Sequence, residues 1–283
     1  MSEHWTPAVV TVLVVLLIVV TAIARSRWFP RHPVSRPRRL RRDAKAGLQL
    51  LYLLPLLALS ACTSANRAPD PEEVRKLAGG SQAVHVRQQE EQNFRDVVRS
   101  YADHTSLTLA LVTVRDVCRT GKAKELLDSG GDDTYKVACS LSVTAYFGAD
   151  PAHVGDVLDS ILTARNASGS RIPFGYDDFR THLVAYYRGH GPNPLGPNMP
   201  ETTFLSDQSQ TLAWDPVHDH DPRSLIAEPE RCAPNDPPMT RCLREPSSGT
   251  VAAVRHRYGM VFRLELGAGD YYKVFKSGQV ETK

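Results

Sequence analysis

The chain carries none of the short spacings that mark many enzymes. H-E-x-x-H, G-x-S-x-G and G-x-G-x-x-G do not occur, which excludes the zinc-protease helix, the esterase nucleophile turn and the dinucleotide-binding turn as local motifs. C-x-x-C is missing too, so the cysteines do not have the spacing of a zinc site. Gly121-Lys122-Ala123 lacks the earlier Gly and the Ser or Thr of a phosphate loop. There is no internal repeat, and no motif implies a cofactor. Nor is there a basic surplus outside one short stretch. The formal charge is +3 overall, residues 25–45 carry +8 and residues 1–24 carry −1, which leaves about −4 for the remainder. A body of that sign is not built for nucleic acid.

What is present is a pair of apolar runs around the basic stretch. Residues 8–24 are free of charge and sit at the short end of the roughly 17–25 residues that span a bilayer. Residues 1–24 therefore read as a transmembrane helix, and residues 25–45 as a basic loop kept on the cytoplasmic side. Residues 48–59 form a second apolar run, interrupted by Gln49 and Pro55. Its length suits a signal-peptide core, which takes about 7–15 residues.

That run ends in Leu59-Ser60-Ala61-Cys62. The ending resembles the lipobox of bacterial lipoprotein signal peptides. The resemblance covers residues 36–62 only. It implies a diacylglyceryl group on the Cys62 sulfur and cleavage that makes Cys62 the N-terminus. Residues 46–62 are then a lipoprotein-type signal or, alternatively, a second short membrane segment. A lipoprotein signal normally starts a chain, whereas Met1 lies far upstream. Either two membrane segments enter as a hairpin, or translation starts nearer Val34. Both readings place the chain after Cys62 outside the cytoplasm, held to the cell membrane by lipid, by a helix or by both. The expected partners are the membrane itself and an envelope protein.

Four cysteines remain besides Cys62: Cys118, Cys139, Cys232 and Cys242. An even number in an exported domain reads as disulfides. Of the three pairings, Cys118–Cys139 with Cys232–Cys242 is favoured because each closes a local loop.

Residues 63–83 are polar, hold Pro69, Pro71, Gly79 and Gly80, and read as a tether. Within them Asp70 is placed to cap a short helix from Pro71. Residues 84–104 predict a helix whose apolar face is Phe94, Val97, Val98 and Tyr101, with Arg87, Gln88, Glu91, Arg95 and Arg99 opposite. Residues 107–118 and 135–147 are rich in β-branched side chains and predict two strands, antiparallel if the Cys118–Cys139 bridge ties them. Gly148 breaks the second. Asp150-Pro151 opens a helix with Val154, Val157, Leu158, Ile161 and Leu162 inward. Residues 176–188 fit both periodicities, and the alternation of Leu183, Ala185 and Tyr187 favours a strand. Residues 189–249 hold 11 of the 20 prolines and predict an irregular Pro-rich insertion. Residues 250–257, 260–266 and 271–275 read as a strand meander with turns at Tyr258-Gly259 and at 267–270. The fold class is α+β: residues 84–283 form a mostly antiparallel sheet with helices on one face, preceded by one or two N-terminal membrane segments.

The densest group of potential ligands lies in residues 215–221. His218 and His220, two apart, point the same way on an extended segment. With Asp221 they make a candidate open site for zinc or a similar metal. No apolar pattern flanks them to shield an ion. No residue is singled out as catalytic. The expected function is a non-catalytic, membrane-anchored extracytoplasmic domain that binds a partner or an envelope component. The alternative is a metal-dependent envelope hydrolase using His218, His220 and Asp221.

Overall fold

Two strands of β-branched residues set the architecture. In the computed structural model, which describes residues 70–121, 134–219, 221–230 and 239–283, they are β1 (Thr108–Thr120) and β2 (Tyr135–Ala149). They pair antiparallel from Thr108↔Gly148 to Thr120↔Val137, with one bulge between Leu109 and Leu111. Cys118 and Cys139 are register partners in this ladder and form a disulfide. The chain divides into two units, 1–65 and 66–283, and every described residue belongs to the second. The membrane segments expected in residues 1–24 and 46–62, the basic loop between them and Cys62 lie outside the described residues. Among the described residues no helix is long and apolar enough to cross a membrane.

Around the hairpin the chain builds a seven-stranded sheet. Its order is β3 (Phe204–Ser206), β4 (Gln210–Trp214), β6 (Met260–Phe275), β2, β1, β5 (Met239–Glu245), and β7 (Val280–Thr282) pairs with β6 beside β4. Every pairing is antiparallel. The antiparallel sheet is as expected, but several of its pieces are not where the sequence pattern put them. Residues 189–249 are no loose insertion: they supply β3, β4 and β5. The turn expected at 267–270 is absorbed into one 16-residue strand. There Ser140↔Asp270 and Ser142↔Gly267 mark register shifts against β2, and glycine in a strand interior commonly marks such bulges. Gly148 does not stop β2 either. The strand passes through it because the Tyr258 ring occupies the space of a side chain, 2.1 Å from where a Cβ would lie.

Four helices share one face of the sheet: α1 (Pro71–Ala78), α2 (Ser81–His104), α3 (Val154–Ala164) and α4 (Asp178–Tyr187). The tether expected over 63–83 is corrected from Asp70 onward. Asp70 caps α1 by accepting from the Glu72 amide, and Val74 and Ala78 are buried in the core. The α3 face is as the sequence predicts, with Val154, Val157, Leu158, Ile161 and Leu162 all buried. It follows a short 3-10 turn, Pro151–His153, capped by Asp150. The strand expected over 176–188 is instead helix α4. Asp177 accepts from the Arg180 amide as its cap, and Leu183, Val184 and Tyr187 are buried at helical spacing.

A fifth helix, α5 (Val251–Tyr258), replaces the strand expected at 250–257. Thr250 caps it through the Ala253 amide, and Gly259 ends it at φ +96°, a conformation only glycine adopts cheaply. α5 packs on the other face of the sheet. Its Val251 and Val254 cluster with Leu111, Tyr146, Val261 and Ile226, whereas the strand neighbours Val112, Ala145, Phe147 and Phe262 belong to the main core. Among the described residues helices therefore cover both faces, four against one, and the expectation of a single covered face holds only for the larger layer.

Candidate functional site

Helix α2 lies along the sheet with one flank toward β1 and β5. Its Arg87, Glu91 and Arg95 follow at i, i+4, i+8, so they rise in line on that flank. Each meets a charged partner across the gap. Arg87 Nη1 is 3.6 Å from Asp116, Arg241 Nη1 is 2.8 Å from Glu91, and Arg95 Nη1 is 2.7 Å from Glu245. Burial by itself would raise the Glu91 carboxyl, but Arg241 and Arg95 outweigh it and hold it below its ordinary value. The Arg95 guanidinium likewise lowers Glu245.

Beyond Arg95 this flank opens into a groove of about 380 Å³. Arg95, Val98, Arg99 and Ala102 of α2 form its wall, Leu109 to Val112 of β1 its floor, and Glu245 with Pro246 its closed end. The groove exists because β5 is shorter than β1. The last β5 partner of β1 is Glu245↔Val112. Proline has no amide to continue the ladder, and after Pro246 a turn closed by Gly249 N to Pro246 O leads into α5. Among the described residues Thr108, Leu109 and Leu111 are thus paired with β2 on one side only, Ala110 is bulged out of the ladder, and Leu111 is fully buried. Leu109 is 39% exposed there. On the rim, Arg99 is 63% exposed in its side chain and pairs with Asp96 at 3.1 Å. Asp96 is shared with Gln92 Nε2 at 2.8 Å and Arg171 at 4.0 Å.

The second polar cluster involves the His-rich loop. Glu201, 4% exposed in its side chain, accepts from the His218 and Asp219 amides at 2.9 and 2.8 Å through Oε1. Its Oε2 is 2.9 Å from the Tyr187 hydroxyl and 3.3 Å from His218 Nδ1. The Tyr187 hydroxyl accepts in turn from Trp214 Nε1 at 3.0 Å, and the His218 ring stacks on Tyr187 and leans on Tyr186. Burial opposes ionisation of Glu201, yet the amides of Asp219, His218 and Val217 and the Tyr187 hydroxyl together bring it below its ordinary value. Glu201 therefore clasps residues 217–219 to α4.

This clasp carries a pH prediction. A carboxyl lowered on folding adds stability above its unfolded value, about 4.3, and that stability is lost as pH falls through the lower folded value. Glu201→Ala should cost about 2–3 kcal/mol at neutral pH, for the lost bonds from two amides and the Tyr187 hydroxyl, and the difference from the parent should shrink below about pH 4. Asp116 acts in the opposite sense. Burial raises its carboxyl despite the Tyr271 hydroxyl and Arg87, so its ionisation subtracts stability as pH rises through the folded value. Urea midpoints of Glu201→Ala and Asp116→Asn across pH separate the two.

The structure brings Cys118 and Cys139 together. Cys242 is also disulfide-bonded, while Cys232 and Cys62 lie outside the described residues. The proposed metal ligands are engaged separately. His218 rests on Glu201, and Asp221 caps a 3-10 turn, Pro222–Ser224, by accepting from the Arg223 amide at 2.9 Å. His220 lies outside the described residues, and among those described no group of three or more His, Cys, Asp or Glu is placed to hold a metal ion. Sequence reasoning missed Glu201 and Glu245, and it placed Arg99 on a polar helix side and Leu109 in a strand without bringing them together at a groove. The signal for the groove was Glu245-Pro246, an end to any central strand. No protein-family model, no curated protein and no solved structure matches the chain.

Proposed function

We propose that this chain is a membrane-anchored extracytoplasmic binding protein with no catalysis of its own, and that the groove between α2 and the free edge of β1 is where it binds. The anchor is the lipid on Cys62, the helix at residues 1–24, or both. The C-terminal domain faces the exterior of the cell membrane and meets an envelope protein there. The observation that carries this reading is the groove: a recess with exposed Leu109 on its floor and ion-paired arginines on its rim, at a point where a strand stops short. A disulfide between neighbouring strands supports an oxidising compartment.

The test is made in the producing cells. A photoreactive residue replacing Leu109 or Arg99 should form adducts with envelope protein, and one replacing exposed Glu265 should not. A tag after Lys283 should be digested by protease added outside, and Cys118 and Cys139 should resist alkylation until reductant is added. Equal adducts at all three positions, or free thiols with a protected tag, would overturn the proposal. A second reading, the metal-dependent hydrolase, draws on His218, whose ring stays half exposed while buried Glu201 holds it. Purified protein that retains metal near stoichiometry, with turnover lost in His218→Ala, would favour that reading.

A further inference from the structure

Of the grooves, charge clusters, exposed apolar side chains and sulfurs in the described residues, the Cys242 disulfide carries the most. We propose that it is a redox latch: a dithiol of an extracytoplasmic oxidoreductase opens it while Cys118–Cys139 stays closed, and its opening frees β5. The source of the dithiol rests on the extracytoplasmic reading above.

The two bridges sit in opposite surroundings. Cys118 is 2% exposed and Cys139 is 0% exposed, and both belong to the main core. Cys242 is disulfide-bonded yet exposed. It lies on the other face of the sheet, since its chain neighbours Arg241 and Leu243 turn toward Glu91 and the main core. A thiolate reaches such a sulfur without the sheet opening, and exposed disulfides are the labile ones.

Charge adds to exposure. Arg115 is the register partner of Cys242 on β1, so the two side chains leave the sheet on one face with Cβ atoms about 5 Å apart. Arg115 is exposed, and no carboxylate among the described residues pairs with it. Arg244, two residues along on the same face, gives its Nη1 to the Gly249 carbonyl at 3.0 Å and keeps its charge. The adjoining positions on this face, Thr113, Ser142 and Thr240, are neutral. Cys242 therefore departs as a thiolate beside guanidinium groups, which makes it a better leaving group.

With Cys118 and Cys139 joined, the partner within the chain is Cys232 or Cys62, and lipid on the Cys62 sulfur leaves Cys232. A thiolate of the dithiol attacks the partner sulfur, the S–S bond breaks, and its electron pair leaves on Cys242. The second thiol of the reductant, on losing its proton, displaces the partner cysteine. Two protein thiols and a reductant disulfide result, and both protons pass from the dithiol to the protein sulfurs through solvent. β5 is the outer strand and pairs with β1 alone, so opening the bridge leaves its seven residues held by one ladder. β5 also carries Glu245, at the closed end of the groove, so the latch acts on the groove wall.

Full-length protein in detergent micelles is equilibrated in mixtures of reduced and oxidised dithiothreitol, trapped with N-ethylmaleimide and mapped by peptide mass. Cys242 should be half-trapped at a reduced-to-oxidised ratio about ten-fold or more below that for Cys118 and Cys139. At that ratio hydrogen exchange should rise in residues 239–245 and stay unchanged in residues 135–149. Arg115→Gln should slow reduction of the Cys242 bond about three-fold or more with melting unchanged, and Arg115→Lys should restore most of the rate. Opening of both bridges at one ratio, earlier opening of Cys118–Cys139, no rise at 239–245, or an Arg115→Gln rate equal to that of the parent would each overturn the proposal. These readings are taken on purified protein, so a tag after Lys283 that stays protected in cells would sink the location while leaving the latch standing.

Discussion

Asp215→Ala is expected to destabilise the domain by about 3–5 kcal/mol, the cost of breaking a buried ion pair from one side. Asp215 is 3% exposed and serves four donors at once. Oδ1 accepts from the Ile226 amide and Arg255 Nη2, both at 2.8 Å, and Oδ2 accepts from Arg255 Nε at 2.8 Å and the Val261 amide at 2.9 Å. Its own amide donates to the Val261 carbonyl at 2.9 Å. One carboxylate thus fastens the residue after β4 to the start of β6, to α5 and to the segment around Ile226. Truncation leaves Arg255 facing the Ile226 carbonyl alone and strands two amides in a dry place. α5 is the element that should loosen, because its apolar contacts form the smaller of the two clusters. A melting-temperature drop of roughly 10 °C follows for a domain of this size. Hydrogen exchange should rise first in residues 251–258. Asp215→Asn keeps the shape but removes the charge that Arg255 needs, so it should fall between the two. A loss below about 1 kcal/mol in Asp215→Ala would mean that α5 is held by apolar packing and not by this knot.

The knot also shows which parts of the architecture could be read in the residues and which could not. Elements whose cause is local were legible. The α3 face follows from Asp150-Pro151 and five apolar residues at helical spacing. The β1–β2 hairpin follows from two β-branched runs and a cysteine in each. Elements whose signals have two meanings were misread. Tyr258-Gly259 marks a turn between strands and equally the end of a helix, and Thr250 four residues before Val254 is the capping signal that decides for α5. Gly267 and Gly269 mark a turn or a bulge, and only pairing with β2 over its full length selects the bulge. Asp177 and the pair Leu183 and Tyr187 outweigh the alternation that suggested a strand at α4.

The candidate site was the least legible because it is made by differences in length between distant elements. Glu245-Pro246 says that a strand ends, but not that it ends opposite Val112. Arg87, Glu91 and Arg95 form a polar stripe that suits solvent as well as it suits a sheet flank. Only Asp116, Arg241 and Glu245, far away in sequence, fix its direction. Glu201 and His218 are likewise 17 residues apart, brought together across the short β3–β4 hairpin, which the reading of 189–249 as an irregular insertion passed over.

Replacing both Cys118 and Cys139 by Ala is expected to cost about 3 kcal/mol, the chain-entropy value for a loop of this length, which spans 21 residues. Both positions are buried in the main core, so truncation adds a smaller packing loss. Because neither the disulfide nor the alanine methyls titrate, this deficit should be flat between about pH 4 and 7, unlike that of Glu201→Ala. Reductant should lower the melting temperature of the parent by more than that of the double variant, in which only the disulfide of Cys242 is left to reduce. The bridge sits toward the end of the hairpin remote from Thr108↔Gly148, so exchange at residues 108–112 should change little on its loss at temperatures where the sheet stays folded. A double variant that melts like the parent would mean the β1–β2 ladder and the core beneath it hold the hairpin unaided, and would remove the disulfide as support for the proposed extracytoplasmic location.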